Sequence, residues 1–272
     1  MIFNKFLYPI IYISIAEIVA VFLILILLIV FHLLHLQKNQ QHKAYYDQLI
    51  NIFLSALEKE QPQLAAEVIS KIRYPFVFLR VVENIDGKFA DASWLKIKEE
   101  LLEKQLFPLA YRWVNSSNWE KRNFAARCFA LYPREKETQY LIQLLKDPIP
   151  LIRITIAQCV GALATIPLVK ALIETMVKEP ESGRYPYRDA LLKAEIKIYS
   201  WIREQLKREN EPELRLIYLD LLSIRFDSSI LEYVHQDLQA ESVKLRLKAI
   251  QLLLKAPTEE TAALLLPFLQ DP

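Results

Sequence analysis

Apolar positions in the second half of the chain recur at a fixed interval. Phe129, Val160, Leu191, Leu222 and Leu253 stand 31 residues apart, and the neighbouring column reads Cys128, Cys159, Ala190, Leu221, Leu252. Upstream of them Arg122, Arg153, Arg184, Arg215 and Arg246 keep the same interval. A further apolar column, Val114, Leu145, Met176, Leu238 and Leu269, marks an earlier helix in each unit. Lys207 interrupts that column in the fourth unit, where Leu206 is expected to take the inward position after a local slip. Apolar columns with a period of this size predict stacked helix pairs, because one pair cannot bury its own hydrophobic face and needs the next. The stretch Asp147 to Gly161, DPIPLIRITIAQCVG, shows the second helix of such a pair most clearly.

The first pair is expected to open at Ala92, with a helix to Asn115 that turns Trp94, Leu95, Leu101, Leu102 and Leu106 inward. Asn115 to Asn118 then form a turn, and the partner helix starts at Trp119. The third unit departs from the pattern: Lys178 to Tyr187, KEPESGRYPY, is a longer loop holding two prolines and a glycine. Pro186 predicts that the second helix begins after Arg184, which makes Arg188 the equivalent of the arginine column. Leu269 to Pro272 repeats the Leu145 to Pro148 pattern four periods on. The chain is therefore expected to stop at the turn of a sixth repeat, before its second helix; the last helix is either a natural cap or the end of a truncated piece, and truncation is favoured because Leu264, Leu265, Leu266 and Phe268 are too apolar for a polar terminal cap.

The N-terminal part has a different pattern. Ile18 to Leu36 reads IVAVFLILILLIVFHLLHL, nineteen residues without charge, Gly or Pro, preceded by the apolar run Ile10 to Ala16. At a helical rise of about 1.5 Å per residue it spans the hydrocarbon core. A signal peptide would have a shorter apolar core and a small-residue cleavage site, which Leu33 to Gln41 lacks, so the segment reads as an uncleaved single-pass anchor through residues 10–36. Lys5 precedes the span and Lys38 and Lys43 follow it, which predicts a cytoplasmic C-terminal domain; Glu17 falls at the outer interface. Tyr45, Tyr46, Leu49, Ile50, Phe53, Leu54 and Leu57 make one helical face beyond it. Pro62 is expected to start a second helix carrying Leu64, Val68, Ile69 and Ile72, and Pro75 to break the chain before Phe76 to Ile85, closed by Asp86-Gly87. These helices do not hold the 31-residue register. The predicted organisation is a tail and membrane helix (1–40), a helical linker and N-terminal cap (41–91), and repeats with the last incomplete (92–272).

Three glycines in 272 residues leave little room for hairpins and predict an all-α chain. Leu145-Lys146-Asp147-Pro148, followed by Ile152-Arg153 and Ala157, resembles HEAT repeats of the short bacterial type also found in phycobilisome-lyase relatives, and the resemblance runs from about Ala92 to the end. It implies a right-handed α-solenoid of helix pairs, preceded here by a single transmembrane helix. It also implies an Asp that closes the turn within each pair and an Arg that forms a ladder along the stack. The corresponding acidic column is Ser116, Asp147, Lys178, Glu209, Ala240, Asp271, so the ladder is expected to lack most of its acidic half.

Net charge is +2, and from Lys38 onward 33 basic residues face 31 acidic ones, so no overall pull toward nucleic acid is expected. No Gly-rich loop cradles phosphate, and there is no HExxH or CxxC. His32 and His35 read as interfacial imidazoles and His235 as a structural one; no cofactor or metal is expected. Both cysteines occupy one slot of adjacent repeats and are expected to be reduced and unbonded. Tyr185, Tyr187, Tyr199 and Trp201 cluster with Arg184 and Arg188, a composition enriched at interaction hot spots. Arg184, Tyr185, Tyr187 and Arg188 are the expected partner-binding residues; the rival reading packs Tyr199 and Trp201 inside the stack and leaves the rest as loop decoration. The sequence thus predicts a membrane-anchored scaffold for an unidentified protein partner. The alternatives are a HEAT-like enzyme related to bilin lyases or DNA glycosylases, the latter disfavoured because no basic stripe neutralises phosphates, and a structural component dimerising through the helix from Ala44 to Glu60.

Overall fold

The computed structural model describes residues 3–58, 72–89, 91–194, 196–224 and 230–270. Every regular element among them is helical, and the chain forms two compact units, 1–101 and 102–272.

The first unit holds α1 (Phe3–Glu58), α2 (Pro75–Asp86) and α3 (Ala92–Leu101). Among the described residues α1 alone is long and apolar enough to cross a membrane; its most apolar 18-residue window has a mean hydropathy of 3.0 and is wholly unburied. Burial starts where the amphipathic pattern starts. Leu49, Phe53 and Ala56, at the i, i+4, i+7 spacing of one helical face, are buried as α1 packs on α2. The Phe53 ring lies 6.2 Å from that of Phe78 and 6.3 Å from that of Trp94. The Leu49, Phe53 and Ala56 face of the helix expected to join two chains is thus covered within one chain, since α2 and α3 supply apolar partners. Pro75 opens α2, where a missing N–H costs nothing. The Asp91 carboxylate accepts from Trp94 N at 2.8 Å at the start of α3. Asp86 accepts from Trp94 Nε1 at 2.9 Å and pairs with Lys98 at 2.8 Å. Leu95, expected inward, is 47% exposed, because Trp94, Ile97 and Leu101 carry the buried face. The helix expected to open at Pro62 lies outside the described residues apart from Ile72.

The second unit opens with a π-helical turn, Leu102–Leu106, and α4 (Phe107–Trp113), followed by α5 (Trp119–Leu131). Pro108 explains the wide turn: it has no N–H to donate, and its ring clashes with the carbonyl four residues back in a regular helix. The unit boundary therefore falls inside the helix expected to run from Ala92 to Asn115. Next come α6 (Thr138–Leu145) with α7 (Pro150–Leu163), α8 (Ile166–Lys178) with α9 (Tyr185–Leu192), and α10 (Ile196–Arg208) with α11 (Pro212–Leu222). Short α12 (Leu231–Val234) continues as a 3-10 turn, His235–Gln239, and pairs with α13 (Val243–Leu253); α14 (Glu259–Leu265) runs into a 3-10 turn, Leu266–Gln270. Second helices α5, α7, α9, α11 and α13 pack side by side in order, which makes the unit an α-solenoid. Both apolar columns predicted around Phe129 and Cys128 are buried at every position, and Leu206 is buried while Lys207 is exposed. Cys128 and Cys159 are free and buried. The turn at Asp271 and Pro272 lies outside the described residues.

One guanidinium per pair ties the stack together. Arg122, Arg153, Arg215 and Arg246 are each the fourth residue of a second helix and fold back over the turn before it. Their Nη1 atoms donate to the carbonyls of Ser116 and Ser117, Asp147 and Pro148, Leu206 and Glu209, and Ala240 and Glu241 respectively. These carbonyls belong to the end of the first helix and its turn, where no helical N–H is left to serve them. Toward the next pair, Arg122 meets Asp147 at 2.6 Å, Arg153 meets Glu179 at 2.8 Å, Arg184 meets Glu213 at 3.1 Å and Arg215 meets Asp237 at 2.7 Å. The acidic half of the ladder is therefore present for these four arginines, which corrects the expectation that it is largely missing. Glu179 sits one residue past the expected column, Asp237 three before it, and Glu213 comes from the second helix; carboxylates reach the fixed guanidinium from off-register positions.

Candidate functional site: a groove between the third and fourth helix pairs

The long loop of the third unit replaces the tight turn that joins the helices of the second. Pro180 ends the α8 direction, Glu181–Gly183 form a 3-10 turn, and Pro186 lies in the first turn of α9. Arg184 fastens the loop: Nε donates to the Glu179 carbonyl at 3.1 Å and Nη2 to the Val177 carbonyl at 3.1 Å, while Nη1 reaches Glu213. Although it precedes α9, it makes the turn-carbonyl and next-unit contacts of the other column arginines. Arg184, rather than Arg188, is the third rung, because the loop folds back far enough to put its guanidinium in the usual place.

Beside this loop lies a groove of 320 Å³ between α8, the loop, α9 and α11. Its floor is apolar, from Met176, Ile217 and Leu221, all buried, with Leu216 half-buried at the edge. Tyr185, the first residue of α9, stands on the rim with 73% of its surface exposed. Arg188 also lines the groove and lies 3.7 Å from Asp220, which accepts in addition from Lys248. On the opposite lip Glu181 accepts from Lys244 at 2.8 Å, and this hydrogen bond holds its carboxyl below the ordinary range.

Of the four residues predicted for partner binding, the structure brings Arg184, Tyr185 and Arg188 to one groove and sends Tyr187 elsewhere. Tyr187 is 1% exposed, and its hydroxyl donates to Glu179 Oε1 at 3.2 Å, the same oxygen that holds Arg153. Burial raises its phenol above the usual range. It is a packing group of the ladder, placed there because Tyr185 and Tyr187 are separated by two residues and so point to different sides of α9. Tyr199 is buried and Trp201 half-buried. The groove residues missed in the sequence are Asp220, which Lys248 also holds, and the α11 floor. Columns at the repeat period reveal the core, whereas these side chains meet across neighbouring units at other separations.

The volume is at the lower end of ligand-holding clefts, about 300–1,000 Å³. An apolar floor edged by an aromatic ring and paired charges suits one or two side chains of a docked segment. Among the described residues no three His, Cys, Asp or Glu side chains gather in a metal-holding group. Residues 138–166 match the HEAT repeat family model. The match covers α6, the Asp147 turn and α7, with both Arg153 and the buried Cys159–Val160 positions inside it. No curated protein matches the chain.

Proposed function

We propose that this chain is a membrane-anchored, non-catalytic HEAT-repeat scaffold, with its solenoid on the cytoplasmic side and a segment of a partner protein docked in the groove beside Tyr185. The observation that carries the reading is the exposed Tyr185 ring over a buried apolar floor, in a loop that departs from the uniform stack. Loops held by a rigid scaffold are where binding residues concentrate, and aromatic and Arg side chains dominate interface energetics. The unburied apolar stretch of α1, followed by Lys38 and Lys43, supports the anchor and its orientation. The test is site-specific photocrosslinking in native membranes with a photoreactive side chain at position 185. A discrete adduct is expected, weakened by Arg188→Ala and absent when the photoreactive group is moved to exposed Leu254. Equal crosslinking at both positions, or none at 185, would overturn the proposal.

A further inference from the structure

A second cleft, of 470 Å³, opens in the first unit between α1 and α2. Asn39, Lys43 and Asp47, at i, i+4 and i+8, put one stripe of α1 along it, and Arg80 faces it from α2. Its walls are held in place. The Arg80 guanidinium stands 5.8 Å from the centre of the Tyr46 ring, and the Tyr46 hydroxyl accepts from Asn84. His42 packs edge-on against Tyr74 with ring centres 4.5 Å apart. Among the described residues no carboxylate pairs with Lys43 or Arg80, in contrast to the groove of the second unit, where each arginine has its acid. The cleft thus holds two cations against one carboxylate, Asp47, and its lining keeps a net positive charge that an anion between Lys43 and Arg80 would offset.

Position along α1 indicates which anion. The apolar run ends at Leu36, so at about 1.5 Å per residue Asn39 lies ~5 Å and Lys43 ~10 Å past the hydrocarbon edge of an upright helix. The polar layer of a bilayer is roughly 5–8 Å thick on each side, so Asn39 at the mouth of the cleft lies at headgroup level and Lys43 just past it, its long side chain tilted back toward the membrane. Resting on the anchored reading above, we infer that this cleft is a binding site for the phosphate of an anionic phospholipid. Lys43 supplies a point charge, Arg80 a forked pair of donors, and Asn39 an amide on the same side. Asp47, farther from the membrane, accepts from a hydroxyl of the headgroup. Basic pockets beside a membrane helix recognise anionic headgroups by this combination.

The experiment uses the full-length protein in a neutral detergent, with dioleoylphosphatidylglycerol or dioleoylphosphatidylcholine titrated in and retained lipid counted by native mass spectrometry. One phosphatidylglycerol is expected to be retained in preference to phosphatidylcholine. K43Q/R80Q is expected to weaken its retention roughly thirtyfold, whereas the charge-matched K38Q/R73Q, at exposed positions outside the cleft, leaves it within about twofold. Equal losses in both variants would show general charge attraction and overturn the site. Binding of inorganic phosphate without retained lipid would assign the cleft to the free ion and overturn the headgroup. Carbonate extraction separates this inference from the anchor. Protein that resists extraction yet retains no phosphatidylglycerol keeps the anchor and overturns the site, and protein released by carbonate overturns the anchor and the headgroup together.

Discussion

At the scale of single residues, Arg215 differs from the other ladder arginines in that both halves of its ion pair are shut from water, at 5% and 3% side-chain exposure. Removing one partner of such a pair strands a buried charge, so Arg215→Met is expected to cost about 3–5 kcal/mol. The double change Arg215→Met with Asp237→Leu should recover part of that loss, the remainder being the Leu206 and Glu209 carbonyls left without donors at ~1–3 kcal/mol. Arg188→Ala is the contrast: its pair with Asp220 is long and half-exposed, and about 0.5 kcal/mol or less is expected. Denaturant midpoints of the full chain check the order, and a larger loss at Arg188 than at Arg215 would refute it. Buried protons set a second expectation. Burial pushes the Cys159 thiol from 9.0 up to about 12, and burial, helped by Glu137 at Tyr111, pushes the Tyr111 and Tyr218 phenols from 10.0 up to about 12. The unfolded chain releases these protons near pH 9–10 while the folded chain keeps them, so their contribution is intact below pH 9 and falls as pH rises toward 12. Melting temperature should therefore decline above pH 9, less steeply in Cys159→Ala with Tyr218→Phe; a flat profile would contradict the assignment.

At the scale of elements, α7 holds two residues in places that usually belong to each other. Gly161 lies inside the helix, where a Cβ would come within 2.9 Å of Lys193 Cβ and 3.1 Å of the Ala190 carbonyl oxygen. Ala164 closes the helix in the left-handed region at φ 49°, a position that favours glycine. Gly161→Ala is expected to destabilise, because overpacking against α9, ~1–3 kcal/mol, outweighs the helix preference of at most about 1 kcal/mol. Ala164→Gly is expected to raise stability by about 0.5 kcal/mol, since relief of left-handed strain exceeds the added chain entropy. Thermal melts of the two variants moving in these opposite directions would support the packing account, and a stabilised Gly161→Ala would remove it. This element also shows what was legible in the sequence. The apolar columns through Cys159 and Val160 required only that one buried face repeat, so period and position could be read directly. The third-unit loop needed more. Arg184 recovers its rung through a bend that Pro180 and Pro186 impose, and Glu179 and Asp237 reach their arginines from outside the column, because a carboxylate on a flexible stem tolerates a shift that a core Leu does not. Tyr185 and Tyr187 share a composition and differ in fate because helix geometry separates them by about 200°, a distinction available only once the start of α9 is known.

For the whole molecule, the division into units of 1–101 and 102–272 gives the apolar stretch and the repeats separate roles. Burial in α1 begins at Leu49, whereas Ile18 to Leu36 carries exposed apolar side chains throughout. The core of the first unit, with Phe53 against Phe78 and Trp94, thus owes nothing to the apolar stretch, and the ladder from Arg122 to Asp237 lies wholly in the second. Deleting Met1 to Gln37 should therefore remove the one membrane-length segment among the described residues while leaving both cores their full set of partners. The shortened chain, still containing the part of α1 from Lys38 to Glu58, is expected to lose membrane association in carbonate extraction. It should also keep a strongly helical circular dichroism spectrum and unfold in a cooperative transition. The two readouts distinguish the alternatives: loss of helical signal would make the apolar stretch part of the fold, and retention in the carbonate-resistant fraction would place the membrane contact elsewhere in the chain.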